Sequence, residues 1–162
     1  MTTIYRKYLN LNINGFHIGL EQSASENNYF CTPKGARIIG WAGVDGIHFC
    51  FVRGFGEMVF AVSPMNTPGN YVHPLAQDFN DFLQLLLACG HTAALEQVCW
   101  WGQAQFGAFL RENAPTAAQS AALDVIREKL LLAPMEQPFA YIKALQAGFD
   151  YSRIKYTEDY YD

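Results

Sequence analysis

The stretch "AGVDGIHFCFVRGFGEMVFAVSP", residues 42–64, is the part of the chain whose reading decides the fold. Asp45-Gly46 is a turn signal, and "GIHFCFV" after it reads as a strand. Side chains alternate along a strand, so Ile47, Phe49 and Phe51 share one face while His48, Cys50 and Val52 take the other. "RGFGE" supplies a second turn, and "MVFAV", residues 58–62, makes another strand ahead of Ser63-Pro64. Upstream, "ARIIGW", residues 36–41, is short, β-branched and bounded by glycines. Three strands joined by tight turns predict an antiparallel meander, ending in the loop "SPMNTPGNYVHP".

Beyond Pro74 the period changes. Leu75, Phe79, Phe82, Leu83 and Leu86 recur at helical spacing and predict an amphipathic helix that stops near Gly90. Thr92 reads as the cap of a second helix carrying Leu95, Cys99, Phe106, Phe109 and Leu110, with Gly102 and Gly107 weakening it. "TAAQ", residues 116–119, matches a capping box ahead of a stripe of Ala122, Leu123, Ile126 and Leu130. A short last helix runs from Pro138 to about Ala147. Residues 1–36 admit two readings. Ile4, Tyr5, Tyr8 and Leu9 fit a helix, whereas Leu9, Leu11 and Ile13 alternate as a strand turning at Asn14-Gly15. "EQSASENN", residues 21–28, is a surface loop on either. Strands first and helices after predict one α+β domain over residues 1–162, a central mostly antiparallel sheet with helices packed to one side.

Composition narrows the function. Hydrophobic residues make up 51% of the 162, enough for a core that buries about two-thirds of the unfolded surface. The formal charge of −4 argues against nucleic acid, which demands a basic face, and suits a basic protein partner. No run of 18 apolar residues predicts a membrane span, and the start of the chain lacks the pattern of a signal peptide. Cys31, Cys50, Cys89 and Cys99 form no C-x-x-C pair, which predicts free thiols and a cytoplasmic protein.

Residues with chemical potential are scattered. Among His17, His48, His73 and His91, only Cys89-Gly-His91 comes near to metal-ligand spacing, and no metal or cofactor is assigned. Ser63, His73 and Asp78 could compose a triad, but no nucleophile elbow surrounds Ser63. Gly54-Phe55-Gly56 leads into a strand rather than a helix, so it reads as a hairpin turn and not a phosphate cradle. Trp100-Trp101 lacks the basic neighbours of a nucleic-acid stacking platform, and reads as one core and one surface tryptophan. No catalytic residue is assigned; a small hydrolase would have to use His48 or His73 in a cleft.

The order of these segments resembles the SUKH superfamily, which takes in the Smi/Knr-like cell-wall regulators, the Syd protein and bacterial immunity proteins. The resemblance rests on Asp45, Gly46, His48 and Phe49, then on Phe79, Phe82, Leu83 and Leu85, and on "AALEQ" at residues 93–97. It is clearest over residues 36–100; the family's opening Leu-Pro is missing from "YRKYLNLNING", and residues 101–162 form a helical extension. What it implies is a mixed sheet with helices to one side and a binding module rather than an enzyme. That would be an immunity protein neutralising a cognate toxin domain such as a nuclease, or a regulatory scaffold. The tail offers partner-binding candidates in Asp150, Tyr151, Tyr156, Glu158, Asp159, Tyr160, Tyr161 and Asp162: tyrosines for contact area, acids for a basic partner. The competing reading packs Phe149, Tyr151 and Ile154 on the sheet.

Overall fold

A computed structural model describes residues 3–22 and 29–156. Four strands, β1 (Ala36–Trp41), β2 (His48–Val52), β3 (Val59–Val62) and β4 (Val72–Ala76), form an antiparallel sheet in the order β1-β2-β3-β4. Asp45 and Gly46 both adopt left-handed backbone at the first turn (φ 56° and 70°), as the Asp-Gly pair predicts. Gly54 and Gly56 do so at the second.

Helices cover one face of this sheet. Phe49, Phe51, Ala61 and Leu75 meet α1 (Thr3–Asn10), α2 (Phe79–Cys89), α3 (Thr92–Gln97), α4 (Gln103–Glu112), α5 (Ala117–Leu130) and α6 (Pro138–Ala147) in a single core. The helical reading of the N-terminus holds and the hairpin reading does not. Tyr5 of α1 sets its ring edge-on to Phe51 at 5.1 Å and to Phe79 at 4.9 Å. Asn14 caps a 3₁₀ turn, Gly15–Ile18, instead of turning a hairpin. The chain then returns along β1, where Glu21 and Trp41 exchange two backbone hydrogen bonds of 2.7 Å. Gly40 makes that approach feasible, because a Cβ there would lie 2.6 Å from Leu20 Cδ1.

Three helix expectations are corrected. Leu75 belongs to β4 and not to α2; it lies four residues before Phe79 and so mimics helical spacing. Pro74 hid this strand, but β4 is an edge, where a missing N–H is tolerated. Asp78 starts α2, accepting from the Asp81 N–H at 2.8 Å. The helix expected from Thr92 to Leu110 is broken by a 3₁₀ turn, Val98–Trp100, and by extended backbone at Trp101. Gly102 then opens α4, with the Gln105 side chain accepting from its N–H at 3.2 Å. His91, not Thr92, caps α3, while the Thr92 hydroxyl donates instead to the Gly19 carbonyl at 2.8 Å. The capping box at Thr116 and Gln119 forms as expected, with reciprocal bonds of 2.9 and 3.2 Å.

The opposite face carries Cys50, Val52, Phe60, Val62 and Val72, and among the described residues no α-helix contributes to this cluster. Two irregular segments do so, residues 29–35 and the tail 149–156. Cys31 and Ile154 are buried there, and the Phe149 ring lies 5.5 Å from Phe60 and 5.7 Å from Phe55. The segments meet each other where the Lys34 N–H donates to the Lys155 carbonyl at 2.6 Å. The tail up to Tyr156 is therefore a strap across the sheet. Ile154→Ala, which empties part of this second core, is expected to cost about 2–3 kcal/mol. A urea denaturation midpoint shows the loss, and a chain ending at Gly148 should lose more.

Candidate functional site: an aromatic rim at one end of the sheet

His48 is fully buried on the strap side of β2. Its Nδ1 lies 2.9 Å from the Gly46 carbonyl, which can only accept, so Nδ1 carries the proton. Nε2 therefore accepts from the Thr32 hydroxyl at 3.0 Å, and Thr32 Oγ1 accepts in turn from the Tyr29 N–H at 2.9 Å. The ring packs against Trp41 at 4.6 Å and Tyr29 at 5.9 Å, which also meet each other at 5.6 Å, so the three rings form one cluster. This directed chain ties residues 29–32 to the Asp45-Gly46 turn. Burial holds the imidazole below its usual pKa of 6.5.

His73 is also engaged at both nitrogens. Nε2 donates to the Asn70 carbonyl at 3.1 Å, and Nδ1 accepts from the Tyr151 hydroxyl at 2.9 Å. Burial lowers its pKa as well. Ser63, His73 and Asp78 are not assembled as a triad. His73 turns to Tyr151, Asp78 caps α2, and the Ser63 N–H donates to the Tyr71 carbonyl. All four cysteines are free; burial pushes Cys31 and Cys99 up to about 11 and Cys89 to about 12, so they stay protonated. Among the described residues no three His, Cys, Asp or Glu side chains are grouped to hold a metal ion. Among the described residues no single helix is long and apolar enough to cross a membrane; Phe79–Cys89 with Thr92–Trp100 reaches that length only across a bend of 106°.

What the structure does gather is a rim of exposed apolar side chains at the end of the sheet where β1 turns into β2 and β3 into β4. Val44 is 57% exposed, Met65 68%, Trp100 53% and Tyr29 41%. A Cβ on Gly46 would lie 3.0 Å from Tyr29 and 3.2 Å from Pro64. Beyond Met65, the Asn66 Oδ1 accepts from Trp100 Nε1 at 3.0 Å, which fixes the indole on the surface. Trp101 turns inward onto Phe109, with ring centroids 5.0 Å apart. The carboxylates of Asp45 and Glu96 border the rim. Burial, with the nearby Asp45 charge adding to it, raises Glu96 to about 7.

The predicted tail residues are divided by the fold. Tyr151 packs on His73, whose ring faces Trp100 at 6.2 Å, so exposed Asp150 and half-buried Tyr151 adjoin the rim. Tyr156 bridges to Pro33 on the far side of the strap. Glu158, Asp159, Tyr160, Tyr161 and Asp162 lie outside the described residues. Tyr29, Val44 and Met65 were not singled out from sequence. A Met between Pro64 and Asn66 and a Val between Gly43 and Asp45 are the available signals: large apolar residues inside turns, where burial is uncommon. No family model, curated protein or solved structure matches the chain.

The His48 chain makes a pH-dependent prediction. With a folded pKa below 6.5, the unfolded chain binds protons that folded His48 refuses, so its contribution is present above about pH 6.5 and lost as pH falls. His48→Phe removes the acceptor of the Thr32 O–H and the donor to the Gly46 carbonyl, and should cost about 2 kcal/mol at pH 8. The gap between native and variant is expected to narrow below pH 6.5, as measured by thermal unfolding across pH 5–8.

Proposed function

We propose that the chain is a non-enzymatic protein-binding module of the immunity type, which docks on a basic toxin domain such as a nuclease and neutralises it in the cytoplasm. The observation that carries this reading is the exposed Trp100 indole, fixed by Asn66 next to Met65, at the end of the sheet that also exposes Tyr29, Val44 and Asp45. Tryptophan, tyrosine and methionine are the residues that concentrate binding energy at protein interfaces. Acids around them would pair with lysines and arginines of a cationic partner and raise the association rate. The sequence resemblance to SUKH immunity proteins supports the same class, as do fifteen acids against eleven bases. Both candidate histidines are consumed by structural hydrogen bonds, which weighs against a histidine hydrolase. Asp150 and Tyr151 extend the proposed surface along the strap.

The test is co-purification and calorimetry with a basic toxin domain encoded beside this gene. Trp100→Ala should weaken binding about 30-fold or more, and Asp45→Asn, which suits the same left-handed backbone, about threefold with a slower association rate. Neither should shift the thermal midpoint by more than about 2 °C, since both side chains stand at the surface. A toxin domain bound equally well by both variants would remove this surface from the interaction. Failure to bind any such domain would refute the immunity reading.

A further inference from the structure

The other end of the sheet, where β1 begins and β2 turns into β3, has a different chemistry. Lys34, Arg37, Arg53, Arg153 and Lys155 are all exposed there, five of the chain's eleven cations. They come from three distant stretches of sequence, and the backbone brings them together. The Arg53 N–H donates to the Gly35 carbonyl at 3.0 Å, and the Lys34 N–H to the Lys155 carbonyl at 2.6 Å. Arg153 lies 4.3 Å over the Phe55 ring and reaches the Gly54 carbonyl at 3.5 Å. Arg37 lies 5.6 Å over the Tyr5 ring. Arg37 and Arg53 share a groove of about 190 Å³ with Phe51, Val52 and Glu57 on its walls.

We propose that this end of the sheet is a docking site for a short acidic segment of a partner protein, rich in glutamate or aspartate. A guanidinium presents a planar fork that matches a carboxylate, and aromatic rings hold one such fork on each face of this end, Arg37 over Tyr5 on the helix side and Arg153 over Phe55 on the strap side. Such pre-ordering lowers the entropy lost when a ligand docks. Nucleic acid fits less well. The chain as a whole carries −4, so an extended polyanion running past the patch would meet net negative surface, whereas a short segment can stay on the cations, which outnumber the Glu57 carboxylate on the groove wall. A groove of this size accepts a side chain rather than a backbone of stacked bases. The site lies at the opposite end of the strands from Trp100, so it stands or falls independently of the toxin-binding reading.

The test is fluorescence anisotropy on the full chain, with a labelled ten-residue glutamate-rich peptide and a single-stranded oligonucleotide of equal charge. Saturable peptide binding is expected at low salt, weakening about fivefold or more between 50 and 200 mM salt. Arg37→Gln with Arg53→Gln should lose about tenfold or more. Arg53→Gln alone, which keeps the Arg37 contact with Tyr5, should lose about threefold, and Trp100→Ala nothing. Circular dichroism confirms that each variant is folded. Three results would overturn the proposal: no saturable peptide binding at 50 mM salt, variants that bind as native does, or an oligonucleotide that binds as tightly as the peptide.

Discussion

Every side chain of β2 from His48 to Val52 is buried, so the sheet has to be covered twice, and the helices cover it only once. The rest of the architecture answers that constraint. On one side α1 to α6 supply an ordinary helical layer, with Phe79 and Phe82 of α2 packed onto Phe49 and Phe51. On the other, two segments with no α-helix or long strand, one of them holding only the 3₁₀ turn Tyr151–Arg153, are drawn over Cys50, Phe60 and Val62 by Cys31, Phe149 and Ile154. Irregular backbone can serve as a cover only if its polar groups find partners. Here the Lys34–Lys155 hydrogen bond, the Pro33–Tyr156 bridge and the Tyr29–Thr32–His48 chain supply them.

The histidines show how this arrangement spends its polar residues. His48, His73 and His91 each use ring nitrogens to close a gap that backbone alone leaves open. These gaps lie at the strap-to-turn junction, at the edge of β4 and at the start of α3. Burial lowers the pKa of each. An imidazole whose two nitrogens are already hydrogen-bonded within the fold is a poor general base, because the lone pair it needs is occupied. The same wiring makes His73 a hinge point between surface and core, joining Tyr151 of the strap to the Trp100 surface.

A four-stranded meander bends its turns to its two ends, and in this molecule the ends differ in character. One displays Val44, Met65 and Trp100 beside carboxylates; the other displays arginines stacked on aromatic rings. Charge segregation of this kind orients a molecule in the field of its partner, so a modest net charge can still produce a directed encounter. Net charge alone conceals it, since a sum of −4 says nothing of where the cations lie.

Much of the sheet was legible because its signals are local. Alternation in "IHFCFV", the Asp-Gly turn and the Gly-Phe-Gly turn are each decided within a few residues by backbone sterics and by the two-residue period of a strand. The capping box at Thr116 and the proline start of α6 are local for the same reason. β4 was not, because Leu75 and Phe79 satisfy a helical period and Pro74 opposes a strand until an edge position makes it harmless. The break at Trp101-Gly102 was equally hidden, as the apolar spacing runs straight through it. The rim and the basic end belong wholly to the tertiary structure. Tyr29, Asp45, Met65 and Trp100, like Lys34, Arg53 and Lys155, become neighbours only when the meander sets distant turns side by side and the strap crosses beneath them. No local period encodes that proximity; packing against a doubly covered strand creates it.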